Sequence, residues 1–165
     1  MGEIIVVDYD PTWPALFTQL TTPVKEALGS LSTRIEHVGS TSVPGLAAKP
    51  IIDMDIVIPS WDVLPLVIAK LAELGYDHEG IKGIPEREAF ERPKGAHRHH
   101  LYVCADETRE VKRHVAFRDA LRGNDTLRDE YAALKKRLAE QYKTDVDAYC
   151  DAKTDFIEGV LRSTT

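Results

Sequence analysis

The sequence predicts an α+β fold: a small mixed β-sheet in the first two-thirds, flanked by helices, and a helical C-terminal third. Three observations predict it. Short runs rich in β-branched residues, at 34–38, 51–58 and 99–104, are bounded by Gly, Pro or polar turn residues. Apolar residues at helical spacing occupy the segments around Leu20 and Ile68 and nearly everything after Thr108. The composition, 43% hydrophobic and 29% charged over 165 residues, supplies one ordinary core, so residues 1–165 read as a single domain.

The elements follow in order. Glu3 to Val7 is short and β-branched, a strand or an ordered lead-in. Phe17, Leu20, Val24, Ala27 and Leu28 form one face of a helix that Gly29 stops. Arg34 to Val38 is a strand running into the loop chemistry of Gly39-Ser40-Thr41-Ser42 and Pro44-Gly45. Ile51 to Ile58 is the clearest strand; Pro59 ends it, and Ser60 is a good N-cap for the next helix. That helix buries Leu64, Val67, Ile68, Leu71 and Leu74 and stops at Gly75. Tyr76 to Lys94 reads as one or two short strands around a mobile loop, and His99 to Cys104 as a further strand. Three helices follow, with stripes Val111/Val115/Leu121, Leu127/Tyr131/Leu134/Leu138 and Val146/Tyr149/Ile157/Val160/Leu161. Those stripes are expected to use the sheet as their packing partner. Trp13 and Trp61 read as packing residues, and Cys104 and Cys150 as small buried hydrophobes.

Composition also excludes function classes. A net charge of −6 argues against a broad grip on nucleic acid, while leaving room for a local basic pocket. No apolar stretch approaches the ~20 residues that cross a bilayer. No basic-then-apolar leader opens the chain, so the expected location is the cytoplasm, with no membrane partner. Two cysteines do not make a disulfide scaffold.

The chemistry concentrates in residues 37–58. Side chains alternate along a strand, so Ile52, Met54, Ile56 and Ile58 share one face while Asp53 and Asp55 share the other. Two adjacent carboxylates repel each other and resist burial. They become favourable when a divalent cation sits between them, and Mg²⁺ (or Mn²⁺) accepts such oxygen ligands, with phosphates and waters completing its shell. Upstream, Gly39 allows close backbone approach, and Ser40, Thr41 and Ser42 offer hydroxyls and N–H groups to phosphate oxygens. A phosphate at the turn then meets a metal at the aspartates, an arrangement suited to metal-assisted phosphoryl chemistry. The plain alternatives are a solvated strand face for the aspartates and turn capping for Ser40.

A Gly-Ser turn followed, after a short gap, by Asp-x-Asp on a strand resembles the signature of the nucleotidyltransferase superfamily. The string from His37 to Leu46, with Lys49-Pro50-Ile51-Ile52-Asp53, resembles the GrpB family in particular. So do Phe117 to Arg122, Tyr131 to Lys135, and Asp147 to Phe156, giving a match over roughly Ile4 to Val160. The resemblance implies the nucleotidyltransferase-like fold and leaves the activity open. It also implies that a third carboxylate belongs on a later strand, yet His97 to Cys104 contains no acid. The family pattern there is His-Leu-His; His100 fits it and Tyr102 departs from it.

His100 is therefore the candidate general base or nitrogen ligand, with Glu91 a weaker substitute for the absent acid. Lys49, Arg87 and Arg98 are candidate substrate-binding cations, an arginine fork being suited to phosphate or carboxylate. An ion pair with a nearby Glu is the alternative for Arg87. Arg118 and Asp119 read as a pair docking the first C-terminal helix to the sheet. Three functions remain open. One is a metal-dependent transferase moving a nucleotidyl group from a nucleoside triphosphate to a small acceptor. Another is a reduced module binding a nucleotide or phosphometabolite, connected to coenzyme A metabolism through family members fused to dephospho-coenzyme A kinase. The last is a phosphohydrolase using the same carboxylates.

Overall fold

The computed structural model describes residues 2–164. Helix α1 (Trp13–Leu28) precedes strand β1 (Arg34–Val38) and strand β2 (Ile52–Ile58), with a 3₁₀ turn at Ser40–Ser42 between the strands. Helix α2 (Leu64–Glu73) leads to the short strands β3 (Asp77–Gly80) and β4 (Glu88–Glu91), then β5 (His99–Ala105). Helices α3 (Arg109–Arg122), α4 (Asp125–Gln141) and α5 (Val146–Ser163) finish the chain. The strands form one mixed sheet in the order β1-β2-β5-β4-β3. Among the described strands only β2 and β5 run parallel. A parallel pair needs a long crossover, and residues 59–98 supply it with α2 and the β3–β4 hairpin.

The alternation of β2 divides the sheet as its residues dictate. Ile52, Met54, Ile56 and Ile58 are buried with Leu101 and Val103 against Trp13, Val24 and Leu28 of α1 and Val67 and Leu71 of α2. Each such side chain contributes ~1.5–3 kcal/mol of burial. On the opposite face, Val57 and Cys104 meet Val111 of α3. The other C-terminal stripes behave differently from the sequence expectation. They pack chiefly on one another, on Val43 and Leu46 of the loop before β2, and on Ile4. Helix α3 thus closes over the Asp55 end of the aspartate face, while α4 and α5 leave a cavity beside Asp53.

Several local readings change. Residues 3–7 are the ordered lead-in rather than a strand: Val7 makes a single bridge to Ala48, while the Ile4 amide donates to the Lys143 carbonyl at 2.7 Å. Helix α1 begins at Trp13, ahead of Phe17, with Pro14 in its first turn, where a missing N–H does no harm. Ser60 caps as expected, accepting from the Asp62 amide, but a 3₁₀ turn at Trp61–Val63 comes before α2. Trp13 is buried as a packing residue, whereas Trp61 is partly exposed. Cys104 is buried and Cys150 lies on the surface. Arg118 docks α3 to β1: its guanidinium donates to Glu36 at 2.5 Å, the His37 carbonyl at 3.1 Å and Asp119 at 3.0 Å.

Candidate functional site

The parallel pairing of β2 with β5 sets Asp53 beside His100 and Asp55 beside Tyr102. A carboxylate only accepts, so the His100 Nδ1–H donates to Asp53 Oδ1, at 2.7 Å. Asp55 is fully buried, and a histidine on α3 reaches it: His114 Nδ1 lies 2.7 Å from Asp55 Oδ2. Glu110, one turn earlier, is 3.6 Å from His114 Nε2. Burial pulls the His114 pKa down, but the Asp55 hydrogen bond and the charges of Asp55, Glu110 and Asp53 outweigh it, so the net shift is upward. Asp55 Oδ1 is buried with no hydrogen-bond partner. Each aspartate thus has one oxygen held by a histidine.

The turn before β2 presses against this pair. Gly39 has φ +74°, and a Cβ built on it would lie 2.3 Å from Asp53 Oδ2. Gly39→Ala should lower stability by ~2–4 kcal/mol, combining left-handed backbone strain with displacement of the Asp53 side chain. Urea unfolding checks it; a loss below ~1 kcal/mol would mean that the turn relaxes freely. The turn's polar groups are less available than the sequence suggests. The Ser42 hydroxyl donates to the Gly39 carbonyl at 2.5 Å. The Thr41 hydroxyl donates to the Ile51 carbonyl and accepts from His37 Nε2 at 2.9 Å. The Ser42 and Val43 amides donate to the Gly39 and Ser40 carbonyls. Ser40 lines the cavity, where its side chain is within hydrogen-bond reach of Tyr131.

His37 stacks on Phe17 with centroids 4.5 Å apart, and burial holds its pKa down at about 4. Above pH 6.5 both folded and unfolded chains carry it neutral. Between 6.5 and 4 only the unfolded chain takes the proton, so native stability falls as pH falls. His37→Gln should remove ~2 kcal/mol of that loss, a full shift being discounted for partial exposure. Unfolding midpoints measured from pH 7 to 4 read it directly, and parallel curves for both proteins would refute it.

A cavity of about 320 Å³ opens between the aspartate face and the C-terminal helices. Gly39, Ser40, Thr41, Lys49, Asp53 and His100 line its sheet side. His114, Arg113, Lys135 and Lys153 line its helix side. Lys135 is only 2% exposed and donates to the Ala47 carbonyl at 2.5 Å. Burial, with the positive charges of Lys153 and Lys49, brings its pKa down to about 6. Lys153 is also lowered, by burial first and then by Lys49. Both Lys153 and Lys49 sit over the Tyr149 ring, at 4.5 and 5.1 Å from its centroid. Basic side chains of the helical layer thus face Asp53 across one cavity, while Asp55 is buried beside His114 and does not line it.

The structure separates the expected substrate-binding residues. Arg87 and Arg98 line a neighbouring cavity on the β4–β5 side, sharing only His100 with the first. Arg87 forms no ion pair among the described residues; it stacks on Tyr102, 4.0 Å from the ring centroid. Ser42 lines neither cavity and serves the turn.

The model of the family described as GrpB protein matches residues 3–163. The chain belongs to the GrpB family. It is 37% identical to a UPF0157 protein of Halalkalibacterium halodurans, over 98% of this chain and 82% of that one. The crystal structure of the conserved protein GrpB from Enterococcus faecalis superposes with a TM-score of 0.87 at 34% identity, covering 97% and 96% of the two chains. A dephospho-CoA kinase of Mycolicibacterium paratuberculosis is 28% identical over 98% of this chain, which spans only 46% of that protein. The Cid1 poly(U) polymerase with MgGTP bound superposes with a TM-score of 0.59 at 12% identity, over 81% of this chain and 44% of that one. At that identity the likeness concerns the fold alone, and it is the nucleotidyltransferase fold.

Residues outside the sequence-based site now join it: His114, Glu110, Arg113, Lys135 and Lys153. Among the described residues no group of three or more His, Cys, Asp or Glu side chains is placed to hold a metal ion. The donors fit Mg²⁺ nonetheless, because that ion uses one or two carboxylates together with phosphate oxygens and water. The buried, unpartnered Asp55 Oδ1 is the observation that bears on this fit, since an unanswered charged oxygen is costly to bury. In β5 no acid stands near the pair. Glu91, in β4, is exposed and lines the second cavity. No helix among the described residues is long and apolar enough to cross a membrane.

Proposed function

We propose that this GrpB protein is a metal-dependent nucleotidyltransferase, moving a nucleotidyl group from a nucleoside triphosphate to a small acceptor. One observation carries the reading: paired aspartates on β2 each have one oxygen held by a histidine, and Asp53 lines a cavity beside the Gly-Ser turn and Lys49, opposite Lys135 and Lys153. Bound at Asp53 and Asp55, Mg²⁺ (or Mn²⁺) would supply charge neutralisation at the reacting phosphate. Lys49, Lys135, Lys153 and the Ser40 amide and hydroxyl would hold the β- and γ-phosphates. The acceptor hydroxyl attacks the α-phosphorus, the bond to the bridging oxygen breaks, and pyrophosphate leaves. His100 takes the hydroxyl proton at Nε2, because its Nδ1–H is engaged by Asp53. In this role the histidine replaces the acid missing from β5.

The test is thermal stability with each nucleoside triphosphate, with and without Mg²⁺ or Mn²⁺, in the parent and in Asp53→Asn/Asp55→Asn. A ligand at 100 times its Kd adds ~2.7 kcal/mol, or ~5–10 °C in Tm for a chain of this size. The shift should require metal and vanish in the double variant. No shift with any triphosphate would defeat the proposal. A second reading draws on the dephospho-CoA kinase relative, in which this chain corresponds to under half the protein. On that reading the domain holds a nucleotide or phosphometabolite beside coenzyme A chemistry and transfers nothing. Stabilisation by triphosphate without pyrophosphate release would favour it.

A further inference from the structure

The second cavity, about 300 Å³, lies on the far side of the Asp53–His100 pair from the lysines. Lys82, Arg87, Arg92 and Arg98 line it. Lys82 is answered by Glu79 at 3.4 Å. Arg92 and Arg98 form no salt bridge among the described residues, although Glu91 also lines the cavity. Arg87 lies over the Tyr102 ring, and its Nε is buried without a hydrogen-bond partner. A guanidinium fixed by stacking, with a donor left unsatisfied, is a preorganised fork for an oxyanion. In a chain of net charge −6, three unpaired arginines around one cavity are no general property of the surface.

Resting on the nucleotidyl-transfer reading, we propose that this cavity holds the acceptor, and that the acceptor is a small phosphate monoester carrying a free hydroxyl. Three arginines against the single unengaged carboxylate of Glu91 leave more positive charge than one carboxylate ligand would balance, and a phosphate dianion matches it. A tetrahedral oxyanion also meets more than one fork at once. The cavity size suits a small molecule, and the acidic chain around it opposes a long polyanion. With its phosphate held by the arginines, the acceptor presents its hydroxyl at the shared wall, where His100 stands between the two cavities.

The test uses sn-glycerol 3-phosphate as the probe, followed by NMR chemical-shift titration of the whole chain without nucleotide or metal. Saturable binding is expected. It should weaken at least ~10-fold in Arg87→Met and in Arg98→Met, the loss of one charge-assisted contact, and survive Lys153→Met. Arg98 is exposed, so its substitution keeps the test valid if Arg87→Met disturbs Tyr102. Equal binding of 3-hydroxybutyrate, tighter binding of a short oligo(U), or retention in both arginine variants with loss in Lys153→Met would each overturn the proposal. A protein that ignores glycerol phosphate but keeps a metal-dependent nucleotide shift would overturn this inference alone. Loss of the nucleotide shift would strike the donor reading instead.

Discussion

Asp55→Asn should lower metal-dependent release of pyrophosphate by at least ~10³-fold, since a metal's charge stabilisation is worth several kcal/mol and each ~1.36 kcal/mol is tenfold in rate. The substitution keeps the shape of a side chain that is fully buried, so the fold has little to adjust. What disappears is the negative charge. Asp55 carries the unpartnered oxygen best placed to want a cation, and it also holds His114 by a 2.7 Å hydrogen bond. Two readouts should therefore move together. Pyrophosphate release falls, and the His114 imidazole titrates at lower pH by NMR, because the bond and charge that raise its pKa are gone. A variant that keeps turnover within tenfold of the parent would remove Asp55 from the chemistry. An unchanged His114 titration would show that the pair is not formed in solution.

Lys135→Met should raise stability at pH 7 by ~2 kcal/mol and weaken triphosphate binding by at least ~10-fold. The two effects have one cause. A lysine whose pKa is held at about 6 by burial is mostly neutral in the folded protein at pH 7 and charged in the unfolded one. The folded state thus binds fewer protons, and its disadvantage grows as pH falls from 10.5 towards 6. The full penalty at pH 7 would approach ~5 kcal/mol, from which the lost hydrogen bond to Ala47 subtracts ~1–3. The stability gain should shrink as pH rises from 7 to 10, which denaturant titrations at several pH values will show. A triphosphate entering the cavity restores the charge on Lys135, so binding should take up a proton. Calorimetry in buffers of different ionisation enthalpy measures that uptake directly. Destabilisation of the variant across the whole pH range would mean that Lys135 is an ordinary packing element.

Much of the sheet was legible because it obeys local rules. The period of two in β2 separates Ile52, Met54 and Ile56 from Asp53 and Asp55 without any knowledge of partners. Gly39 and His100 could be read for the same reason, through backbone freedom and strand alternation. The helical side of the site was not legible. Lys135 occupies the same helix face as Tyr131 and Leu138, where its long stem satisfies the apolar stripe while its ammonium reaches Ala47. His114 belongs to a ladder of Glu110, His114, Arg118 and Arg122, one per turn of α3. Glu110 and His114 line the cavity, His114 reaching Asp55; Arg118 bonds Glu36 and Arg122 the Ser42 carbonyl. A polar row at that period beside a short apolar stripe was the available clue. The division of Arg87 and Arg98 from Lys49 depends on strand order. The β3–β4 hairpin joins the sheet through β5, and no local pattern in the sequence encodes that choice.

The carboxylates stand on β2 and the facing lysines of the helical layer on α4 and α5, so the two halves of the cavity leave the ribosome at different times. A nascent chain exposing only its first three strands would present an acid pair with no helical cations opposite. It would attract cations and repel polyphosphate. The basic wall is therefore complete only with the last helix, and removing α5 by proteolysis would strip Lys153 from it and leave Lys135 as its one remaining lysine on the helical side.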